Sequence, residues 1–162
     1  MSNNIIIREI KAHDNLLIGK IIRDTLTEFG ANKPGTVFTE ATTDRLYEVF
    51  QKKDAIYFVA ELNHQVVGGG GIYPTEGLPK DTCELVKMYL LKEARGIGLG
   101  AQLISNCLQA ARNFNFKTIY LETMPELQKA LKVYEKFGFQ YLQQPMGNSR
   151  HFGCSMWMNK SL

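Results

Sequence analysis

The pattern of apolar and polar residues divides the chain into alternating strands and helices. Runs rich in β-branched and aromatic residues predict strands at 4–10, 56–62, 66–73, 83–91, 117–123, 139–143 and 152–158. Apolar residues at helical spacing predict helices at 14–29, from 39 to about 50, at 99–114 and at 125–137. One early hairpin followed by β-α-β units predicts an α+β (mixed α/β) fold, with a mixed sheet covered by helices on both faces.

The length and composition agree with a single domain spanning residues 1–162. A chain of 162 residues with 44% hydrophobic residues is long enough to bury a sizeable core. We find no internal repeat, linker or low-complexity segment. The run Gly68–Gly71 in the second hairpin strand permits a bulge or the close approach of another group, and the sequence leaves these alternatives open.

Charge and cysteine usage exclude several classes of function. The formal net charge is only +3 and no long basic run occurs, so no nucleic-acid partner is expected. The cysteines form no C-x-x-C pair and the histidines lack metal-ligand spacing, so we expect no disulfide framework and no metal. No signal peptide or membrane-spanning run is visible, which predicts a cytoplasmic protein without a membrane partner. The sequence is also compatible with a homodimer.

A glycine-rich turn between the central strand and the next helix is the strongest chemical signal. Its sequence is Arg95-Gly96-Ile97-Gly98-Leu99-Gly100. Such a turn directs backbone N–H groups and the positive end of the helix dipole at one point, which favours a phosphate group. Arg95 adds a cationic fork. A tight strand-to-helix turn without a ligand is the alternative, but the apolar strand before it and the amphipathic helix after it favour the anion site.

Two segments together resemble the GNAT acetyltransferases. The turn at residues 95–100 fits the R-x-x-G-x-G/A signature of that family, and residues 130–139 resemble its A-x-x-x-Y-E-K-x-G-F segment. The resemblance implies a central, mostly antiparallel sheet of six to seven strands. It also implies acetyl-CoA as the acetyl donor, with pyrophosphate on Arg95 to Gly100 and Ala101. The pantetheine arm is then expected to pair with the backbone of Met88, Tyr89 and Leu90 like an added strand.

The resemblance also implies two catalytic side chains. Glu84 stands where some members place a glutamate base, often acting through water, although an ordinary solvent-facing carboxylate is an equal alternative. Strand alternation predicts that Glu84 shares a face with Val86 and Met88, and burial of that face is expected to raise the pKa of Glu84. Tyr134 matches the family's thiolate-protonating tyrosine, and a core role is the alternative. Leu127 replaces the asparagine that many members use to contact the cosubstrate.

The amine acceptor is expected between the first helices, the hairpin and the last strands. Lys33 and Arg150 are suited to hold a carboxylate, as in an amino-acid-like amine, but each is equally consistent with a solvated loop charge. The candidate acceptor residues are Asn32, Lys33, Thr36, Tyr73, Arg150 and His151.

The predicted function is transfer of an acetyl group from acetyl-CoA to the primary amine of a small molecule. Two alternatives remain open at this stage. One is a non-catalytic acyl-CoA-binding or regulatory module on the same fold. The other is acetylation of a protein or peptide amine, which requires an open peptide groove.

Overall fold

A seven-stranded sheet organises the fold. The structure is a computed structural model that describes residues 2–148 and 151–162. The strands are β1 (Ile5–Glu9), β2 (Ile56–Leu62), β3 (Gln65–Tyr73), β4 (Thr82–Leu90), β5 (Thr118–Thr123), β6 (Gln140–Leu142) and β7 (Met156–Ser161). Their order is β1-β2-β3-β4-β5-β7-β6, and every neighbouring pair is antiparallel except β4 and β5. The predicted mixed, mostly antiparallel sheet of six to seven strands is confirmed.

Helices cover both faces of this sheet, as predicted. They are α1 (Asn15–Glu28), α2 (Leu46–Val49), α3 (Leu99–Asn113) and α4 (Gln128–Lys136). Apolar residues of α1 and α2 pack with β2 in one core cluster, whereas α3 and α4 pack with β5 in another. Among residues 2–148 and 151–162, no helix combines the length and apolar character needed to cross a membrane.

Two predicted elements differ from the observed ones. The predicted strand 152–158 is wrong in its bounds, because β7 takes its register from β5 and pairs from Met156 to Ser161. The predicted second helix is reduced to two 3₁₀ turns, Val37–Thr39 and Ala41–Asp44, and the single helical turn of α2. Threonine side chains favour this local structure, since Thr42 Oγ1 donates to Glu40 Oε1 and Thr43 Oγ1 donates to Val37 O. Such local bonds compete with helix formation.

The parallel pair β4–β5 opens the sheet at its centre. The two strands pair only between Thr82–Glu84 and Thr118–Tyr120, although β4 continues to Leu90 and β5 to Thr123. Beyond Glu84 the strands therefore separate, and a cleft begins between them. Strand ends that diverge in this way leave backbone groups of β4 accessible to a ligand.

Candidate active site

The cleft between β4 and β5 brings most of the predicted cosubstrate and catalytic residues together. Its volume is about 400 Å³, within the range of ligand pockets. Glu84 and Tyr134 both line it, as do the β4 segment 88–90 and residues Arg95, Gly96, Gly98, Gly100 and Ala101 of the glycine-rich turn. Ile97 and Leu99 do not line it. Leu99 is fully buried in the core and can contribute only its backbone to the turn, whereas the Ile97 side chain is exposed to solvent.

The glycine-rich turn has the geometry of an anion site. Gly98 caps the N-terminus of α3 with a φ of 83°, a left-handed conformation that favours glycine. A Cβ placed on Gly96 or Gly98 has no heavy atom within 4 Å, so the backbone there faces open space. The first helical hydrogen bond runs from Gln102 N to Gly98 O, which leaves the amides before it directed out of the helix. These amides are suited to hold a phosphate group.

Arg95 is held beside this turn by several contacts. Its Nε donates to Leu90 O at 3.0 Å, and its Nη1 and Nη2 donate to the Glu28 carboxylate at 2.7 and 2.9 Å. Its guanidinium also lies 4.8 Å from the centroid of the Phe29 ring. The cationic fork is therefore at the predicted place, but it pairs with the end of α1.

A β-bulge in β4 changes which residues share a face. Gly69 pairs with Tyr89 and Gly71 with Val86, so two residues of β4 lie opposite one of β3. Lys87, within this bulge, has a φ of 55°. The prediction that Glu84 and Met88 share a face is wrong, because the extra residue reverses the alternation. Val86 and Tyr89 pack on the face of the sheet that α1 covers. Met88 packs on the other face, against core residues of α3.

Glu84 lies buried at the inner end of the cleft. Its side chain is 3% exposed, and Thr75 Oγ1 donates to its Oε1 at 2.6 Å. Burial, with a further contribution from the charge of Glu122, raises the pKa of Glu84 to about 7. The expected rise in this pKa agrees with the structure, and the alternative of a solvent-facing carboxylate does not. A carboxyl that titrates near neutral pH can exchange protons there.

Tyr134 lies on α4 and combines the two roles considered from sequence. Its ring packs in the core, 5.7 Å from the centroid of Phe139, and also lines the cleft. Burial raises the pKa of the Tyr134 hydroxyl well above its ordinary value. The hydroxyl therefore stays protonated at neutral pH and can donate a proton.

A partly buried charged cluster, of which only His151 was a candidate from sequence, lies at the inner end of the cleft. Lys87 Nζ lies 3.4 Å from Glu40 Oε2, and His151 Nε2 lies 2.9 Å from the same oxygen. His151 Nδ1 lies 3.6 Å from Glu122 Oε1, and Tyr120 Oη donates to Glu122 Oε2 at 2.7 Å. These residues come from distant segments, and only the register of β4 against β5 places Glu122 near Glu84. That register cannot be read from sequence.

The charges in this cluster stabilise one another. Burial alone lowers the pKa of His151, but the carboxylates of Glu122 and Glu40 raise it to about 9. Burial raises the pKa of Glu40, yet the hydrogen bond from His151 and the charge of Lys87 lower it to about 2. His151 is therefore cationic and Glu40 anionic at neutral pH.

The cluster also bears on the expectation of no metal. Ligand atoms of Glu84, Glu122 and His151 lie within 4.8 Å of one another, a donor set that divalent cations accept. The absence of a metal thus stays a prediction.

The predicted acceptor residues divide into two groups. Thr36 and His151 line the cleft. Asn32, Lys33 and Tyr73 do not: Asn32 is exposed, Lys33 Nζ donates to Glu126 Oε1 at 2.7 Å, and the Tyr73 ring packs 5.5 Å from Phe50. Arg150 lies outside the described residues.

A hydroxyl on α1 adds a polar group to the acceptor side. Thr25 is 5% exposed and lines the cleft, and its Oγ1 finds no hydrogen-bond partner in the part of the chain that the structure describes. Buried hydroxyls are normally paired, so this oxygen is suited to contact a ligand. Thr25 lies on the apolar side of α1, and periodicity alone predicts only a core position.

Comparison with protein families identifies the family of this chain. The model of the "Acetyltransferase (GNAT) family" matches residues 21–139. The uncharacterized N-acetyltransferase YjgM of Escherichia coli (strain K12) is 38% identical over 159 residues, covering 97% of this chain and 95% of YjgM.

Solved structures are similar over nearly the whole chain. A GNAT-family acetyltransferase from Staphylococcus aureus Mu50 has a TM-score of 0.85 at 18% identity, covering 98% of this chain and 99% of that one. YncA from Salmonella typhimurium, a putative acetyltransferase solved with its cofactor acetyl-CoA, has a TM-score of 0.77 at 22% identity, covering 98% of this chain and 94% of that one. At these identities the similarity concerns the fold.

Proposed function

The chain belongs to the GNAT acetyltransferase family, and from this premise we propose that it transfers an acetyl group from acetyl-CoA to the primary amine of a small molecule. The observation that carries the proposal is one continuous cleft. Its outer end is the glycine-rich turn, and its inner end holds Glu84 and Tyr134. We further propose that residues 1–162 act as a single acetyltransferase domain.

Acetyl-CoA fits the outer part of the cleft. The open space at Gly96 and Gly98 accepts a pyrophosphate, and the amides at the start of α3 donate to it. Arg95 is close enough to exchange Glu28 for a phosphate oxygen. The β4 backbone at residues 88–90 then pairs with the pantetheine arm, because β5 has separated from β4 there. YncA, which shares this fold, binds acetyl-CoA.

Two proton transfers accompany the reaction. Glu84, with a pKa of about 7, accepts the proton that the amine loses, through a bridging water. An amide of the β4 segment donates to the thioester oxygen as negative charge develops on it. Tyr134, whose hydroxyl stays protonated, donates to the departing CoA sulfur. Proton donor and acceptor are thereby separate groups, and before the next turnover Glu84 releases its proton to water and Tyr134 takes one up from water.

The inner end of the cleft favours a compact acceptor. Glu40 forms ion pairs with Lys87 of β4 and with His151, which precedes β7. These ion pairs connect three segments of the chain at the inner end of the cleft, where the acceptor is expected to bind. Thr25 provides a hydroxyl for an acceptor contact, whereas the Thr36 hydroxyl already donates to Lys33 O at 2.7 Å. Lys33, already paired with Glu126, lies outside the cleft lining, which removes one predicted anchor for an acceptor carboxylate. The other predicted anchor, Arg150, lies outside the described residues.

The test is release of free CoA by the purified protein with acetyl-CoA and a panel of small amines, amino acids and peptides. We expect turnover with at least one small primary amine, and higher kcat/KM for small amines than for peptides. Higher kcat/KM for peptides than for small amines would instead indicate acetylation of protein or peptide amines. Acetyl-CoA binding without turnover on any amine would favour a non-catalytic module.

A further inference from the structure

The glycines of β3 make room for one tyrosine ring. A Cβ added to Gly69 would lie 2.7 Å from Tyr57 Cε1, and one added to Gly71 would lie 2.8 Å from Tyr57 Cδ2. The same Cβ atoms would lie still closer to the β2 carbonyl oxygens of Phe58 and Ile56, so a larger residue at either position would displace the β2 backbone as well as the ring. The glycine run therefore lets the Tyr57 side chain lie directly against β3 and reach towards β4.

The Tyr57 hydroxyl bonds to the bulge of β4. Tyr57 Oη donates to Lys87 O at 2.9 Å, and this hydrogen bond is buried. Tyr57 is 1% exposed and is packed against the Phe50 ring, with centroids 5.2 Å apart. The ring has little freedom to move, so its hydroxyl is a fixed donor.

The residue that receives this bond has an unfavourable backbone conformation. A φ of 55° at Lys87 is sparsely populated by residues other than glycine, and surrounding contacts must hold it. The bulge also determines which way Met88 and Tyr89 point into the cleft. A contact that fixes Lys87 thus fixes the backbone immediately after it.

We propose that Tyr57 is a positioning residue, which holds the β4 bulge so that the 88–90 backbone is aligned with the thioester. This inference rests on the proposed function. It assigns a purpose to Gly69 and Gly71, which lie against the Tyr57 ring, whereas a Cβ on Gly68 or Gly70 would meet β4 residues instead. Donor alignment strongly affects stabilisation of a developing oxyanion, whereas the glycine-rich turn binds pyrophosphate independently of the bulge.

The variant Tyr57→Phe removes only the hydroxyl and keeps the ring. We expect kcat to fall by about 10- to 100-fold, since misalignment of the reacting groups has effects of that order. The affinity for free CoA, measured by titration calorimetry, should change by less than about twofold. If wild type binds acetyl-CoA more tightly than CoA, the variant should bind the two with equal affinity. Tyr141→Phe is the matched control, because the Tyr141 hydroxyl bonds to Glu135 on the exposed surface. It should match wild type in every measurement.

A second variant separates positioning from general stability. In a Lys87→Gly background the backbone at residue 87 adopts positive φ without strain. The Tyr57 hydroxyl is then less necessary to keep that conformation. The effect of Tyr57→Phe on kcat should therefore shrink by at least threefold in that background, as a double-mutant cycle measures. Additive effects would indicate that Tyr57 merely supports the core.

The outcomes distinguish this inference from the proposed function. Unchanged kcat in Tyr57→Phe, or equal losses of affinity for CoA and acetyl-CoA, overturn the positioning role while wild-type turnover keeps the acetyltransferase proposal. A wild-type protein that neither binds acetyl-CoA nor releases CoA overturns both.

Discussion

At the scale of single residues, the two roles of Tyr134 can be tested separately. Its ring packs in the core, whereas only its hydroxyl can donate a proton. In Tyr134→Phe the ring still packs against Phe139, so the core is kept. If the hydroxyl protonates the CoA sulfur, kcat should fall by about 10²–10⁴-fold. Acetyl-CoA affinity should be nearly unchanged. Steady-state kinetics with one good acceptor measure this, and wild-type turnover in the variant would leave Tyr134 as a core residue only.

Glu84 gives a residue-scale prediction in pH. Its pKa of about 7 means that the carboxyl is protonated below that pH and can accept a proton only above it. The wild-type kcat/KM should therefore rise with pH through a limb near 7. Glu84→Gln keeps the size of the side chain but accepts no proton, so kcat/KM at neutral pH should fall by about 10²-fold.

The pH–rate profiles of both proteins, with the same acceptor, provide the measurement. The Glu84→Gln profile should lose the limb near 7 and keep the limb set by the amine itself. Glu76→Gln is a suitable control, since residue 76 is exposed and does not line the cleft. Superimposable profiles of equal height for wild type and Glu84→Gln would remove Glu84 from the mechanism.

At the scale of elements, the geometry of the glycine-rich turn leads to a prediction for the substitution Gly98→Val. Valine at Gly98 has to adopt a φ of 83° and fills the space in front of the α3 amides. Gly98→Val should weaken acetyl-CoA binding by at least about 100-fold, because pyrophosphate then loses its donors. Titration calorimetry of the folded variant measures the affinity.

A second glycine controls for backbone strain in that experiment. Gly30 also has positive φ, 67°, and open space around its Cβ position, but it does not line the cleft. Gly30→Val should therefore lower stability by a similar amount and keep acetyl-CoA affinity. Equal loss of affinity in the two variants would count against a phosphate site at the turn.

The elements also indicate what sequence can predict. Periodicity located every helix and strand to within a few residues where local spacing decides, as in α3 and β2. It failed where another segment decides: β7 follows the register of β5, and the bulge at Lys87 lies opposite the β3 glycines, where Tyr57 donates a hydrogen bond to it. The cluster around Glu40 joins distant segments for the same reason. Family resemblance supplied Glu84 and Tyr134, whereas loop candidates such as Lys33 and Tyr73 lie outside the cleft.

At the scale of the whole molecule, acetyl-CoA is expected to stabilise the fold, because its cleft, which is lined by residues of the α1–α2 cluster and of the α3–α4 cluster, exists only in the native state. Strand β4, on one side of the cleft, carries residues of both clusters, and β5, on the other side, carries residues of the cluster that contains α3 and α4. A ligand that binds only the native state at 100 times its Kd adds roughly 2.7 kcal/mol to the free energy of unfolding. For a chain of this size that corresponds to a rise in Tm of roughly 5–11 °C. Thermal unfolding with and without acetyl-CoA measures this rise in Tm.

Adenosine at the same concentration, which lacks the pyrophosphate, should give a much smaller rise in Tm. An unchanged Tm at saturating acetyl-CoA would contradict the proposed cosubstrate.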